Sequence, residues 1–345
     1  MSATSDVVKR LREPWQLGGV ELQNRVLLAP LAGIGNWFVR LQARRYGAGF
    51  AYSEMVSSFA IKYRNERTCT ELLRISPEEG PIALQLFGHD PEAMYTAAAE
   101  VAKAGASIVD INMGCPVPKV CKTGAGAALL EDPTLAVELA VAAREGSGLP
   151  VTVKLRPGRR PGQRGGVEVA HRLATDAGVA GLTFHPRHAS QQHKGTPDYA
   201  LARELIEELD VPVILSGGMS SPERVHSAFE ETGAAAVMLA RGSLGNPWLF
   251  QKVLGYRDID PTPSEVFLEL DWVIDCAVDH MGTERAGRYL RKFYPWYLQR
   301  LGAGPDAQDA LQRAETLAAA RLELVRLAAE RGVETPVRRP DLALA

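Results

Sequence analysis

Short runs of apolar, β-prone residues recur eight times along the chain, at 26–30, 50–54, 82–87, 108–112, 151–155, 181–185, 213–216 and 236–240. They are continuous rather than alternating, the pattern of strands buried on both faces. Between most of them lie segments with helical periodicity. Several open on an N-cap residue followed by proline: Asp90-Pro91-Glu92, Asp132-Pro133 and Ser221-Pro222-Glu223. Gly105, Gly178 and Gly233 fall where those helices should stop. Eight strand-helix units within about 250 residues predict an α/β fold, a closed (β/α)8 TIM barrel. No Gly-x-Gly-x-x-Gly follows the first run, which weakens an open doubly wound sheet.

After Pro261 the strand-like runs cease. Thr262-Pro263-Ser264-Glu265 is a capping box, and the chain beyond it reads as three helices. The expected organisation is therefore a barrel over 1–255, a C-terminal all-helical domain over 256–334, and a flexible tail over 335–345.

The 345 residues are 46% hydrophobic and 23% charged, the balance of a soluble globular protein with a sizeable core. No apolar stretch approaches membrane-spanning length and no cleavable leader is recognisable, so a cytoplasmic protein without a membrane partner is expected. The four cysteines, Cys69, Cys115, Cys121 and Cys276, form no Cys-x-x-Cys pair and no zinc-like cluster with histidine, so no metal is expected. A net charge of −2 confines any nucleic-acid contact to local patches.

In such barrels chemistry gathers where strands end, at their C-terminal rim. There the runs deliver Pro30, Glu54, Gln85, Asn112, Lys154, His185, Ser216 and the Arg241-Gly242 pair. Ser216-Gly217-Gly218 and Ala240-Arg241-Gly242 offer backbone N–H groups and a guanidinium to a phosphate, in the two loops that usually bind one; each alone would also serve as a tight turn. Lys154 can stabilise negative charge on a reduced flavin ring or be a solvated rim charge. Gln85 can donate to and accept from a flavin ring, and His185 and Arg187 can flank its phosphate or the substrate; His185 can equally be a hydrogen-bonded structural histidine. Cys115, between Gly114 and Pro116 in a turn, can donate a proton to carbon or be an inert small residue.

With these residues in place, the chain closely resembles the tRNA-dihydrouridine synthases, and among them the bacterial B-type branch, from about Leu17 to Leu301. The resemblance is carried by Ala29-Pro30-Leu31-Ala32-Gly33, Ser53-Glu54-Met55, Gln85-Leu86, the run from Asp110 through Asn112-Met113-Gly114-Cys115-Pro116 to Lys119-Val120, Val151-Thr152-Val153-Lys154-Leu155-Arg156, His185-Pro186-Arg187 and Arg241-Gly242. It implies reduction of the C5–C6 double bond of a uridine in tRNA, with NADPH first reducing FMN. It also implies that Pro30, Leu31 and Ala32 line the flavin, that Gln85 and Lys154 bind its ring, and that Asn112 lies near both flavin and uracil. His185 becomes a further flavin neighbour, Ser216, Gly217, Gly218, Ala240 and Arg241 hold the phosphate, and Cys115 is the proton donor to C5. The sequence departs from the family at Ser216 and Cys121, where asparagine is usual, and at Gly35-Asn36, where Thr-Asp is usual.

A uridine within folded tRNA must be extruded to reach a barrel mouth, which demands grip on neighbouring phosphates. Arg285, Arg288 and Lys292 share one helical face with Arg291 close by, and Tyr294, Trp296 and Tyr297 follow; the alternative is a solvated face over an aromatic core. Arg156, Arg159, Arg160 and Arg164 after the fifth run suggest a second RNA contact, or a solvated loop. The expected partners are tRNA and NADPH, and the expected state is a monomer. Two other functions compete: an FMN barrel oxidoreductase acting on a free pyrimidine or enone, and a non-catalytic RNA-binding protein.

Overall fold

The computed structural model describes residues 3–333. It opens with two features that the apolar runs do not predict: a helix, Ala3–Arg12, and a hairpin of β1 (Trp15–Leu17) and β2 (Val20–Leu22). Gly18 and Gly19 make the two-residue turn of this hairpin at φ 60° and 84°, the conformation that matches strand twist in tight hairpins.

The eight strands that follow are those the apolar runs predict: β3 (Val26–Leu28), β4 (Phe50–Ser57), β5 (Ile82–Phe87), β6 (Ile108–Met113), β7 (Val151–Leu155), β8 (Gly181–Phe184), β9 (Val213–Ser216) and β10 (Ala236–Leu239). All pair in parallel, and β10 closes the barrel on β3 through Val237 opposite Val26. Asp90, Asp132 and Ser221 cap helices between them, accepting from the amide three residues on at 2.7, 3.0 and 3.4 Å. Gly178 and Gly233 end helices in the left-handed region, at φ 62° and 69°. Leu17 and Leu22 of the hairpin are buried with Leu27, Phe50, Ile108 and Ala236, so it plugs the barrel at the strands' N-terminal end. The chemistry is left to the opposite rim.

β4 does not stop at Glu54. Tyr52 pairs with Ala83 but Met55 with Gln85, so an extra residue bulges there and the strand continues to Ser57. The bulge frees Ser53 Oγ to accept from the Gln85 amide at 2.9 Å and Glu54 to accept from the Gly33 amide at 2.8 Å.

The chain forms two compact units: one runs up to Gly242 and includes Phe250–Tyr256, the other comprises Ser243–Leu249 and the chain from Arg257 onward. The short segment Ser243–Leu249, expected with the barrel, belongs to the second unit because Gly245, at φ 58°, lies so close to Trp296 that a Cβ would sit 2.6 Å from its side chain. Beyond Arg257 the second unit holds five helices among the described residues, Pro263–Met281, Thr283–Leu290, Tyr294–Arg300, Pro305–Arg313 and Leu317–Glu330, where three are expected. Gly282, Phe293-Tyr294-Pro295, Gly302-Ala303-Gly304 and the Thr316 cap divide what periodicity alone runs together. The capping box forms as expected, and Arg257 adds two hydrogen bonds to Glu265 at 2.7 and 2.9 Å. The expected tail, 335–345, lies outside the described residues.

Candidate active site

The rim side chains of β5, β6 and β7 are joined in series. Thr152 Oγ1 donates to Asp110 Oδ1 at 2.6 Å, and Gln85 Nε2 donates to Asp110 Oδ2 at 2.6 Å. Gln85 Oε1 accepts from Asn112 Nδ2 at 2.9 Å. Asn112 Oδ1 accepts in turn from the amides of Gly114 and Cys115, at 3.2 and 2.9 Å. Register makes the series possible, since Gln85 lies opposite Asp110 and Asp110 opposite Thr152.

The Cys115 turn is thus held from below. It is also held from the side: Cys115 O accepts from the Ala127 amide at 3.0 Å and from the Cys121 thiol at 3.3 Å. Cys121 therefore braces the turn through its own sulfur. Gly126, at φ 62°, passes so near that a Cβ would lie 2.8 Å from Cys115 O. Burial pushes the half-buried Cys115 thiol up from its ordinary pKa, so it carries its proton at neutral pH. That is the state a proton donor needs.

Across the mouth, cations crowd. Burial, then Arg156, brings Lys154 down to about 8, and among the described residues its ammonium has no hydrogen-bond or ion-pair partner. His185 is pushed far below its ordinary value by burial first, then by Lys154, Arg156, Arg187 and His193, so the ring is neutral. Arg187 Nη1 lies 3.3 Å from its Nε2, which fixes that nitrogen as the acceptor. Arg187 also donates twice to Gly195 O, at 3.2 and 2.8 Å. Gly217, at φ 100°, rests against His185 so closely that a Cβ would lie 2.4 Å from the ring, and Gly217 O accepts from Tyr199 Oη at 2.9 Å. Gly218 follows at φ 81°, and Arg241 begins the loop after β10, exposed. Two glycines in conformations other residues avoid, a neutral histidine and converging guanidinium groups make a cradle for an anion.

Pro30, Leu31 and Ala32 follow β3 at the same rim, half-buried, buried and exposed respectively, while Ser216 ends β9 buried and Ala240 follows β10 half-buried. Gly35 lies where a Cβ would meet Glu54 N at 2.8 Å, and Asn36 caps the helix Trp37–Arg45.

The candidate RNA contacts divide. Arg156 is only 4% exposed, and its guanidinium donates to the backbone oxygens of Gly114, Arg187, His188 and Gln192, at 2.9, 3.0, 3.4 and 3.1 Å. It ties the Cys115 turn to the loop after β8 and is no part of a solvated basic loop. Arg159 pairs with Glu131 at 2.6 Å and Arg164 with Glu204 at 2.5 Å, whereas Arg160 is exposed. In the helical unit, Arg288 pairs with Glu284 at 2.7 Å and Lys292 lies 5.0 Å over the Tyr289 ring, both exposed. Arg285 is half-buried. Arg291 Nη2 donates to Ala314 O at 3.0 Å and its own oxygen accepts from Gln312, so it fastens helices together. Tyr294 and Tyr297 are fully buried; they are core, not a stacking platform.

The family model described as Dihydrouridine synthase (Dus) matches residues 27–332, nearly the whole described chain. The chain belongs to the dihydrouridine synthase family. It is 34% identical over 290 residues to the tRNA-dihydrouridine synthase B of Shewanella oneidensis, covering 83% of this chain and 89% of that one. The protein of the same name from Yersinia pestis is 35% identical over 289 residues, covering 82% and 89%. Among solved structures, morphinone reductase in complex with tetrahydroNAD superposes with a TM-score of 0.50 at 18% identity, covering 74% of this chain and 93% of that one. A 2-naphthoyl-CoA reductase complex superposes at 0.59 and 14% identity; 75% of this chain matches about half, 53%, of that one. These two likenesses concern the fold. As a dihydrouridine synthase family member the protein is a flavin-dependent oxidoreductase.

Asp110, Ser53, Tyr199 and the strut Arg156 are the site residues whose roles sequence reasoning missed. Asp110 carried a signal, a carboxylate inside an otherwise apolar strand, but its partners lie on other strands. Among the described residues no helix is long and apolar enough to cross a membrane.

Proposed function

We propose that this dihydrouridine synthase reduces the C5–C6 double bond of a uridine in tRNA, with FMN as its bound flavin, NADPH as reductant and the cytoplasm as its place of work. The observation that carries the reading is the Cys115 turn, its backbone amide held by Asn112 at the rim where, among the described residues, Lys154 has no hydrogen-bond or ion-pair partner.

The residues fit FMN. A half-buried ammonium with no hydrogen-bond or ion-pair partner among the described residues is costly unless something negative visits it, and the crowd of Lys154, Arg156 and Arg187 around neutral His185, with Arg241 acting on Arg187, asks for a phosphate. Ser216, Gly217, Gly218, Ala240 and Arg241 would hold the phosphate, with Arg187 and His185 beside it. Gln85, Asn112 and Lys154 would address the ring, and Pro30, Leu31 and Ala32 would line it. FMN, when bound, supplies the hydride that it takes from NADPH. Cys115 gives its proton to C5 of the uracil as C6 becomes saturated, and the thiolate regains a proton from solvent. Exposed Arg160, Arg288 and Lys292, together with half-buried Arg285, are the residues we assign to RNA phosphates; Arg159 is shared with Glu131 and Arg291 with a backbone oxygen.

Flavin extraction from purified protein, after reconstitution with excess FMN, is expected to return FMN at about one per chain. Mapping dihydrouridine in tRNA from cells with and without the gene is expected to show one set of sites lost. No flavin, or an unchanged map alongside turnover of free uracil, would overturn the reading.

A further inference from the structure

We propose that Asp110 is the positioning residue of the site: its buried carboxylate anchors the amide series Gln85–Asn112 from below and thereby holds the Cys115 turn. The proposal rests on the reading of Cys115 as proton donor and concerns what aims it.

The two ends of a carboxamide are nearly the same shape, so Gln85 and Asn112 have no preferred orientation of their own. A series of amides takes its direction from a group that can only accept or only donate. Asp110, fully buried, is such a group: Thr152 Oγ1 donates to one of its oxygens and Gln85 Nε2 to the other, each at 2.6 Å. With Nε2 committed downward, Gln85 presents Oε1 to Asn112 Nδ2 at 2.9 Å. Asn112 must then turn Oδ1 to the amides of Gly114 and Cys115. Reversing Gln85 would set oxygen against the Asp110 carboxylate and nitrogen against Asn112 nitrogen. Reversing Asn112 as well would set its NH2 against two backbone donors. The buried carboxylate below and the two backbone donors above thus require the same sense of every hydrogen bond between them.

Burial raises the Asp110 carboxyl to about 7, opposed by the Thr152 and Gln85 hydrogen bonds and by Lys154, two residues beyond Thr152 on the neighbouring strand, so above about pH 7 the group is the pure acceptor that the series needs. Tyr52 on β4, which is buried as well, also faces it.

The series predicts how to break and how to mend it. Asp110→Asn can present either end to Gln85, so the series loses its lower anchor and keeps only the two backbone amides to direct it. Asp110→Asn combined with Gln85→Glu moves the acceptor one step along the series. The amide now at position 110 donates to one oxygen of the carboxylate now at position 85, and its own oxygen still accepts from Thr152. The second oxygen of that carboxylate still accepts from Asn112. Alkylation of Cys115 by iodoacetamide, followed peptide by peptide with Cys69 and Cys276 as internal references, reads the turn without any need for turnover. In Asp110→Asn we expect Cys115 to react about tenfold faster than in wild type, the factor that loss of roughly one net hydrogen bond would give. In the paired variant its rate should return to the wild-type value, although FMN affinity should not, because the Gln85 amide is gone. A structural role alone would lower the melting temperature of both variants and leave the Cys115 rate unmoved or unrescued, which overturns the proposal. If Asp110→Asn does not fold, the paired variant decides: folded with wild-type Cys115 reactivity supports the proposal, and unfolded or still over-reactive refutes it. Failure of tRNA reduction in wild type would sink the functional reading and leave this measurement standing.

Discussion

Where β5, β6 and β7 meet, the polar groups of the barrel mouth are paired in series, from Thr152 through Asp110, Gln85 and Asn112 to the Cys115 turn. From the end of β7 round to β10, positive groups face one another instead, with Lys154 pressed down to about 8 and His185 kept neutral by burial and by its cationic neighbours. The first region uses its hydrogen bonds to fix geometry, each group oriented by the next. The second is left with positive potential that a ligand must offset. Pairing in series marks the half that holds the Cys115 turn, and unoffset positive charge the half that we propose binds the anion.

The sharpest way to test that division is to remove the thiol. Cys115→Ala should bind FMN and accept hydride from NADPH at near the normal rate, yet slow reoxidation by tRNA by about 10²- to 10⁴-fold, the range of general acid catalysis. Single-turnover flavin absorbance separates the steps. Cys121→Ala, which removes only a brace to Cys115 O, should stay within about tenfold of wild type. If the Cys121 variant were the crippled one, the role of proton donor would pass to Cys121.

The binding half should respond in the opposite sense. Gly217→Ala forces a Cβ to within 2.4 Å of His185 in a left-handed conformation, a cost of about 1–3 kcal/mol. FMN affinity, read by fluorescence titration, should fall at least about fivefold, the factor that the lower end of this range gives. An unaltered affinity would separate this turn from the phosphate.

Lys154 gives the pH dependence of the same half. Its pKa is lowered to about 8, so the cation is present below that value and lost as pH rises through it. Affinity for FMN should therefore be maximal below about pH 8 and decline above it, and Lys154→Gln should abolish the decline. A flat profile in wild type would remove Lys154 from the cofactor's surroundings.

Smaller still is the expected effect of reversing Arg285, Arg288 and Lys292 to glutamate. tRNA affinity should drop and its salt dependence should flatten, by roughly 0.7–0.9 in slope for each phosphate no longer neutralised, while NADPH oxidation by an artificial acceptor persists. The pairing of Arg288 with Glu284 limits what that residue contributes. Unchanged binding would make this helix a solvated face.

The barrel is legible in the sequence because its strands are buried on both faces and so read as unbroken apolar runs, and because its helices begin with side-chain caps at Asp90, Asp132 and Ser221. The hairpin Trp15–Leu22 is not, because three-residue strands carry no period, although Gly18-Gly19 is its visible mark. Periodicity under-divides the helical unit because the breaks depend on single residues such as Gly282. Candidate site residues are legible as polar groups at strand ends. Their connections are not: Gln85 meets Asp110 across 25 residues, Thr152 meets it across 42, and the buried pair Arg40–Glu79 closes across 39. Local pattern holds no record of such partners, and for the same reason Arg156 reads as a surface charge while it serves four backbone oxygens.

The most direct test mixes FMN-loaded protein, reduced anaerobically by NADPH, with unmodified tRNA and follows flavin absorbance while the RNA is analysed by mass. Reoxidation should match, one for one, the appearance of uridines carrying two added hydrogens. Flavin that stays reduced with tRNA but is reoxidised by free uracil would contradict the account.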